Sequence, residues 1–237
     1  MSRIAQIPSR ETLVIIPARG GSKGLSRKNV RLIYGKPLVA HSIISGQQAL
    51  LASRVVVSTD DSEIEGIVKE HSAEVVLRPG KISGDAAPSE AALMHVLDHL
   101  SIEEDYSPDL VVFLQPTSPF RLPQDIDGAI RTLIDEEADS VFSAYIEHFC
   151  GRWERDNDGL KAINFKLQSR PRRQERPPQY VENGSIYVFK PDLFRESGNR
   201  FSGKIAVYEM PILRSLQVDT LNDLEMVEAL MHLTGLK

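Results

Sequence analysis

Three short runs of nearly unbroken apolar residues, Leu13-Val14-Ile15-Ile16, Val55-Val56-Val57 and Leu110-Val111-Val112-Phe113-Leu114, are separated by helix-sized amphipathic segments. A strand that is apolar at every position needs cover on both faces, and such strands belong in a parallel sheet with helices above and below. The segments 38–51, 62–71, 89–100 and 125–136 read as those helices. Asp61 or Ser62 is placed to cap the second, and the third can start at Ser89 after a proline. The βαβαβαβ order predicts an α/β fold with a doubly wound, mostly parallel sheet, whose ligand site lies at the carboxyl ends of the strands.

After Val141 the pattern breaks. The stretch 147–180 is rich in Arg, Gln and Pro, including Arg170, Pro171, Arg172, Arg173, Gln174, Arg176, Pro177 and Pro178, and reads as an insertion rather than another βα unit. The sheet is expected to resume at 185–189 and to close with 206–208, a strand near 216–218 and a helix over 221–233. No internal repeat is visible, so 1–237 reads as one domain carrying an inserted arm.

With 41% apolar residues in 237, the chain can bury a substantial core. Its net charge of −5 argues against a general nucleic-acid binder, which needs a large basic face. No apolar run approaches the ~20 residues needed to span a bilayer, and residues 1–12 lack the apolar core of a signal peptide. No membrane association or export is expected. The single cysteine, Cys150, excludes an intrachain disulfide and suits a reducing compartment, where it reads as a packed residue rather than a nucleophile. A cytoplasmic protein is the expectation.

Against this acidic background, residues 12–59 contain no Asp or Glu and seven basic residues. Five of those, Arg19, Lys23, Arg27, Lys28 and Arg31, fall directly after the first strand around Gly20, Gly21 and Gly24. Glycines let backbone N–H groups approach phosphate oxygens and the cations add charge, so the segment has the outline of a triphosphate cradle. A unit charge pair about 4 Å apart is worth on the order of 4 kcal/mol at an effective dielectric of 20, so a few local contacts outweigh the net negative charge. The loop does not match Gly-x-x-x-x-Gly-Lys-Ser/Thr or Gly-x-Gly-x-x-Gly, which disfavours a P-loop enzyme and a dinucleotide binder.

The segment Ile16-Pro17-Ala18-Arg19-Gly20-Gly21-Ser22-Lys23-Gly24 through Lys28-Asn29 resembles the opening signature of the acylneuraminate cytidylyltransferases, or CMP-sialic acid synthetases. Val57-Ser58-Thr59-Asp60, Leu77-Arg78-Pro79 with 85–89, Leu114-Gln115-Pro116-Thr117-Ser118-Pro119-Phe120-Arg121 and Asn183-Gly184-Ser185-Ile186-Tyr187 resemble later blocks of that family in the same order. The resemblance implies a Rossmann-like nucleotidyltransferase that joins CTP to an acidic nine-carbon sugar, with Mg2+ or Mn2+, in a homodimer. It implies that Arg19, Ser22, Lys23, Lys28 and Asn29 hold the phosphates, and that Arg78, Ala87 and Ser89 recognise cytosine and ribose. Arg19, Lys23, Gln115 and Asp219 are the implied catalytic residues. Gln115, Arg173, Asn183 and Tyr187 are implied in the sugar pocket, with Arg173 reaching in from a partner and 147–180 serving as the dimerisation arm. Gln115 also follows the third strand, where switch-point geometry faces it to a ligand.

Asp219, matching a family aspartate, is the candidate magnesium ligand; a lone Asp before a helix is otherwise most often an N-cap. The sequence departs from the family here, carrying Gln217 where many relatives have Asp, and again at Ser26, where proline is common. A neutral amide is a poor magnesium ligand, which leaves the metal to Asp219, water and phosphate oxygens. Two alternatives stand beside this reading: a 3-deoxy-manno-octulosonate cytidylyltransferase, and a sugar-nucleotide binding module without turnover. Among neuraminate, legionaminate, pseudaminate and the deaminated nonulosonate, the sequence does not choose.

Overall fold

A computed structural model describes residues 10–235 apart from 23, 85–86, 149–150, 170–171 and 176, with only the backbone of Arg173. Lys23, Cys150 and residues 1–9 therefore lie outside the described residues. The expected strands form as β1 (Thr12–Pro17), β4 (Arg54–Thr59) and β6 (Leu110–Leu114). Between them stand α1 (Leu38–Gln48), α2 (Ser62–Glu70) and α3 (Ser89–Glu104), and α4 (Pro123–Asp135) follows β6. A short hairpin, β2 (Leu32–Ile33) with β3 (Lys36–Pro37), precedes α1, and β5 (Glu74–Leu77) follows α2.

Among the described residues the main sheet has seven strands in the order β11-β7-β10-β6-β1-β4-β5. β1 pairs in parallel with β4 on one side and β6 on the other, so the winding reverses at β1. β7 (Ser140–Glu147) and β11 (Ile205–Glu209) are parallel to each other, whereas β10 (Gln179–Phe189) runs antiparallel between β6 and β7. The apolar runs are continuous because each strand buries both faces. Val14, Ile16, Val112 and Leu114 pack under α1, α2 and α4, while Leu13, Ile15, Val111 and Phe113 pack under α3 and α5 (Pro191–Ser197).

Of the two caps offered for α2, Asp61 takes the role, accepting from the N–H groups of Glu63 and Ile64. The expected strand at 216–218 does not form. Residues 212–215 make a single helical turn, and Val218 donates its N–H to the Thr117 carbonyl at 2.8 Å instead of joining a ladder. The closing helix α6 spans Leu221–Thr234 and is capped by Thr220, which exchanges bonds with Asp223. The stretch 147–180 is shorter as an irregular arm than the sequence suggests: β10 already starts at Gln179, and a separate hairpin, β8 (Trp153–Asp156) with β9 (Gly159–Ala162), lies within it.

A third apolar cluster decides where the loops sit. Leu25 from the glycine-rich loop, Phe120 from the segment after β6 and Val218 pack against Leu224, Val227 and Met231 of α6. Full burial of one such side chain is worth ~1.5–3 kcal/mol, so α6 fastens three separate loops at the same end of the sheet.

Candidate active site

A cleft of about 370 Å3 opens beside the ends of β1 and β6, where the winding reverses. Pro17, Arg19, Ser22, Gly24, Lys28 and Asn29 line it from the segment after β1. Arg78, Ala87, Pro88 and Ser89 line it from the segment joining β5 to α3, and Phe113, Gln115, Pro116 and Thr117 from the end of β6. A volume of this size lies within the range of small-ligand sites.

The first wall is held by two bonds from within the acid-free window and one to a carboxylate just beyond it. Ala18 N–H donates to the Ser58 carbonyl at 2.9 Å, Gly20 N–H to Asp60 Oδ1 at 3.0 Å, and the buried Asn29 amide to the Arg19 carbonyl at 2.9 Å. Gly20 stands so near Asp61 that a β-carbon there would collide with its side chain. Of the four described cations after β1, Arg19 and Lys28 line the cleft. Arg27 turns away to pair with Asp61 and Glu63, which raise its pKa, and Arg31 Nε donates to the Ser26 carbonyl at 2.8 Å. The four described cations thus divide into cleft-lining and loop-bracing members.

Arg78 follows β5 and is braced by Ser58: its Nη2 donates to the carbonyl at 2.8 Å and its Nε to the hydroxyl at 3.2 Å. Burial lowers its pKa, the Asp60 charge opposes that, and Arg19 adds to it. Arg19 Nη1 donates to the Gly84 carbonyl at 3.1 Å, joining the two walls.

Lys28 Nζ pairs with Asp219 Oδ1 at 2.8 Å, and the Asp219 side chain keeps 61% exposure. Since Thr220 caps α6, Asp219 is released from that role. Gly24 is required at its place because a β-carbon there would lie 2.6 Å from the Asp219 carbonyl oxygen. Gln217 does not turn with Asp219: its amide Nε2 donates to the Asn183 carbonyl.

The structure does not bring all the sequence-selected residues to the cleft. Asn183 is 3% exposed, and its amide is consumed by Ser143 at 2.6 Å and Ser215 at 2.9 Å. Tyr187 is buried with its ring stacked on Phe113 at 5.2 Å, its hydroxyl donating to Glu182 and its pKa raised by burial. Neither lines the cleft, and Tyr187 backs the lining residue Phe113. Arg173 lies on a single helical turn, Arg173–Glu175, inside the inserted stretch. Among the described residues no group of three or more His, Cys, Asp or Glu could hold a metal ion, and no helix is long and apolar enough to cross a membrane.

Sequence reasoning missed Pro17, Pro88, Phe113 and Thr117 as lining residues, and gave Ser58 and Asp60 no role. The block 57–60 was a signal for the last two, but hydrogen bonds across forty residues of chain are not visible in a motif.

The family model described as Cytidylyltransferase matches residues 13–235. N-acylneuraminate cytidylyltransferase B of Danio rerio is 33% identical over 214 residues, covering 89% of this chain and 49% of that protein. The chain spans about half the length of several such relatives. CMP-N,N'-diacetyllegionaminic acid synthase of Legionella pneumophila is 33% identical over 227 residues, covering 93% of this chain and 96% of the relative. A solved CMP:2-keto-3-deoxy-manno-octonic acid synthetase complexed with CTP superposes with a TM-score of 0.69 over 94% of this chain and 99% of its own, at 20% identity. A 4-diphosphocytidyl-2C-methyl-D-erythritol synthase from Anaerococcus prevotii gives 0.68 over the same shares at 13% identity, so these two likenesses are of fold.

Proposed function

The chain belongs to the cytidylyltransferase family, and from that premise we propose that it transfers CMP from CTP to the anomeric hydroxyl of a sialic-acid-like nonulosonate, releasing pyrophosphate. The observation that carries this reading is the meeting of Arg19, Ser22, Lys28 and Asn29 with Arg78, Ala87, Ser89 and Gln115 around one cleft at the switch point. The sugar class is drawn from relatives above 30% identity, named for acylneuraminate and legionaminate products, whereas the octulosonate synthetase likeness supports the fold. The match to the legionaminate synthase, over 93% of this chain and 96% of that protein, supports including that sugar in the panel. Pyrophosphate release measured with CTP across neuraminate, legionaminate, pseudaminate and octulosonate tests the reading. A nonulosonate is expected to be turned over fastest; exclusive turnover of the octulosonate, or none with any sugar, would overturn it.

In the reaction the sugar oxygen forms a bond to the α-phosphorus, the bond from that phosphorus to the bridging oxygen breaks, and the hydroxyl proton is lost. Negative charge grows on the departing pyrophosphate, so the site must supply fixed cations more than covalent chemistry. Arg19 and Lys28 supply it from the described residues, and Lys23 from the same loop. Gln115, an amide that both donates and accepts, orients the sugar carboxylate or a hydroxyl.

A divalent cation, Mg2+ or Mn2+, would neutralise phosphate charge and orient the triphosphate when bound. The residues fit it sparingly: Asp219 offers one exposed carboxylate, paired with the cleft-lining Lys28, and Gln217 is engaged with Asn183. Such a donor set suits magnesium, which keeps waters and binds mainly through substrate phosphates. Asp219→Asn is expected to lower kcat about tenfold and to raise the magnesium concentration for half-maximal rate. An unchanged metal dependence would remove Asp219 from this role.

We place the reaction in the cytoplasm of the cell and in a homodimer, with 147–180 as the arm and Arg173 entering the partner's cleft. The exposed apolar side chains of that stretch, Trp153, Leu160, Ile163 and Leu167, support an interface. Sedimentation is expected to give twice the chain mass; a strict monomer with full turnover would exclude the cross-subunit residue.

A further inference from the structure

A second cavity, of about 60 Å3, lies between α1, the segment 119–123 and α6, and shares no lining residue with the cleft. Its polar lining is Lys36, His41, Ser45, Gln48 and Arg121, without a carboxylate.

Arg121 is 4% exposed, yet among the described residues no anion is bonded to it. Its Nη1 donates to the Ser185 carbonyl at 2.6 Å and hydroxyl at 3.1 Å, and its Nη2 to the Ser42 hydroxyl at 2.6 Å, all neutral oxygens. Its buried Nε has no hydrogen-bond partner among the described residues. The one carboxylate acting on it among the described residues, Asp125, is bonded to Arg214 at 2.6 and 3.0 Å and also accepts from Tyr208 and the Leu122 N–H. Arg121, Asp125 and Arg214 together leave one positive charge uncompensated.

His41 stands beside the same surplus. Its Nε2 is 2.9 Å from the Ile33 carbonyl, and its pKa is lowered first by burial and further by the charges of Lys36 and Arg121. An uncompensated buried cation is costly, and an anion in the cavity that Arg121 lines would offset part of that cost.

We propose that this cavity binds a small inorganic oxyanion, of which phosphate is the model, held by Arg121 and Lys36. The space admits a few water-sized atoms, at roughly 10–15 Å3 for each, and is too small for a nucleotide. The site is independent of the chemistry assigned to the cleft.

Calorimetric titration of inorganic phosphate, in chloride buffer of constant ionic strength, separates the two places where it could bind. Lys28→Ala removes a cation from the cleft, Lys36→Ala removes one from the cavity, and Gln48→Glu puts a competing carboxylate at the cavity. Circular dichroism checks that each variant is folded. The Lys28→Ala protein is expected to bind phosphate as the native chain does at the cavity, Lys36→Ala at least fivefold more weakly, and Gln48→Glu not measurably there. Loss of all phosphate binding in Lys28→Ala, phosphate heat unchanged by both Lys36→Ala and Gln48→Glu, or no phosphate binding to the native protein would each overturn the assignment.

Discussion

Replacing Lys28 by alanine is expected to lower kcat/KM for CTP about a hundredfold or more while the protein stays folded. Removing one preorganised donor aimed at developing charge costs ~10²–10³ in rate in comparable sites. Lys28 lines the cleft, and its bond to Asp219 ties the phosphate loop to the proposed metal ligand, so one substitution removes a cation and frees a carboxylate. Because Asp219 is mostly exposed, little stability rests on that pair, and surface ion pairs are worth ~0–1 kcal/mol. Steady-state kinetics beside a thermal melt checks both halves. A rate within threefold of the native protein would take Lys28 out of the phosphate site.

Gly184→Ala is expected to damage stability and turnover together. Gly184 has φ +66°, a left-handed conformation that costs a residue with a β-carbon ~1–2 kcal/mol. That carbon would also sit 2.8 Å from Gln115 Oε1 and against the Gln217 amide. Relief requires Gln217 to leave the Asn183 carbonyl, and an unsatisfied buried polar group costs ~1–3 kcal/mol. A total near 3 kcal/mol corresponds to a fall in Tm on the order of 6–12 °C for a chain of this length. Gln115 would be displaced in the same step, so kcat should fall beyond what unfolding explains. Gly21→Ala, with nothing within 4 Å of the added carbon, is the control and should melt as the native chain does.

Much of the architecture was legible because apolar continuity directly reports two-sided burial. β1, β4 and β6, and the helices between them, appear within a few residues of where periodicity puts them. β5 was missed because Glu74-Val75-Val76-Leu77 is a four-residue edge strand with too little pattern to count. The segment 216–218 read as a strand since Leu216 and Val218 alternate with Gln217, yet those apolar side chains are spent on α6 and Gln217 on β10. Alternation alone cannot distinguish a ladder from a strap held by side chains.

The cleft was legible in part for a different reason. A glycine-rich basic loop after a first strand advertises its chemistry locally, and eight of the residues selected from it and from the later blocks meet there. What composition could not show was the division of labour among like charges. Arg27 and Lys28 are neighbours in sequence, but the first braces α2 and the second lines the cleft, because Asp61 and Glu63 lie on one side and Asp219 on the other. The chemically similar Gln115 and Gln217 divide likewise between cleft lining and backbone support.

Calorimetry of CTP with the folded chain in the presence of magnesium tests most directly whether the loop after β1 holds the nucleotide's triphosphate. Saturable binding at one CTP per chain, weakened at least tenfold by Lys28→Ala, is the predicted result. Absence of binding to folded protein, or binding indifferent to Lys28, would contradict it.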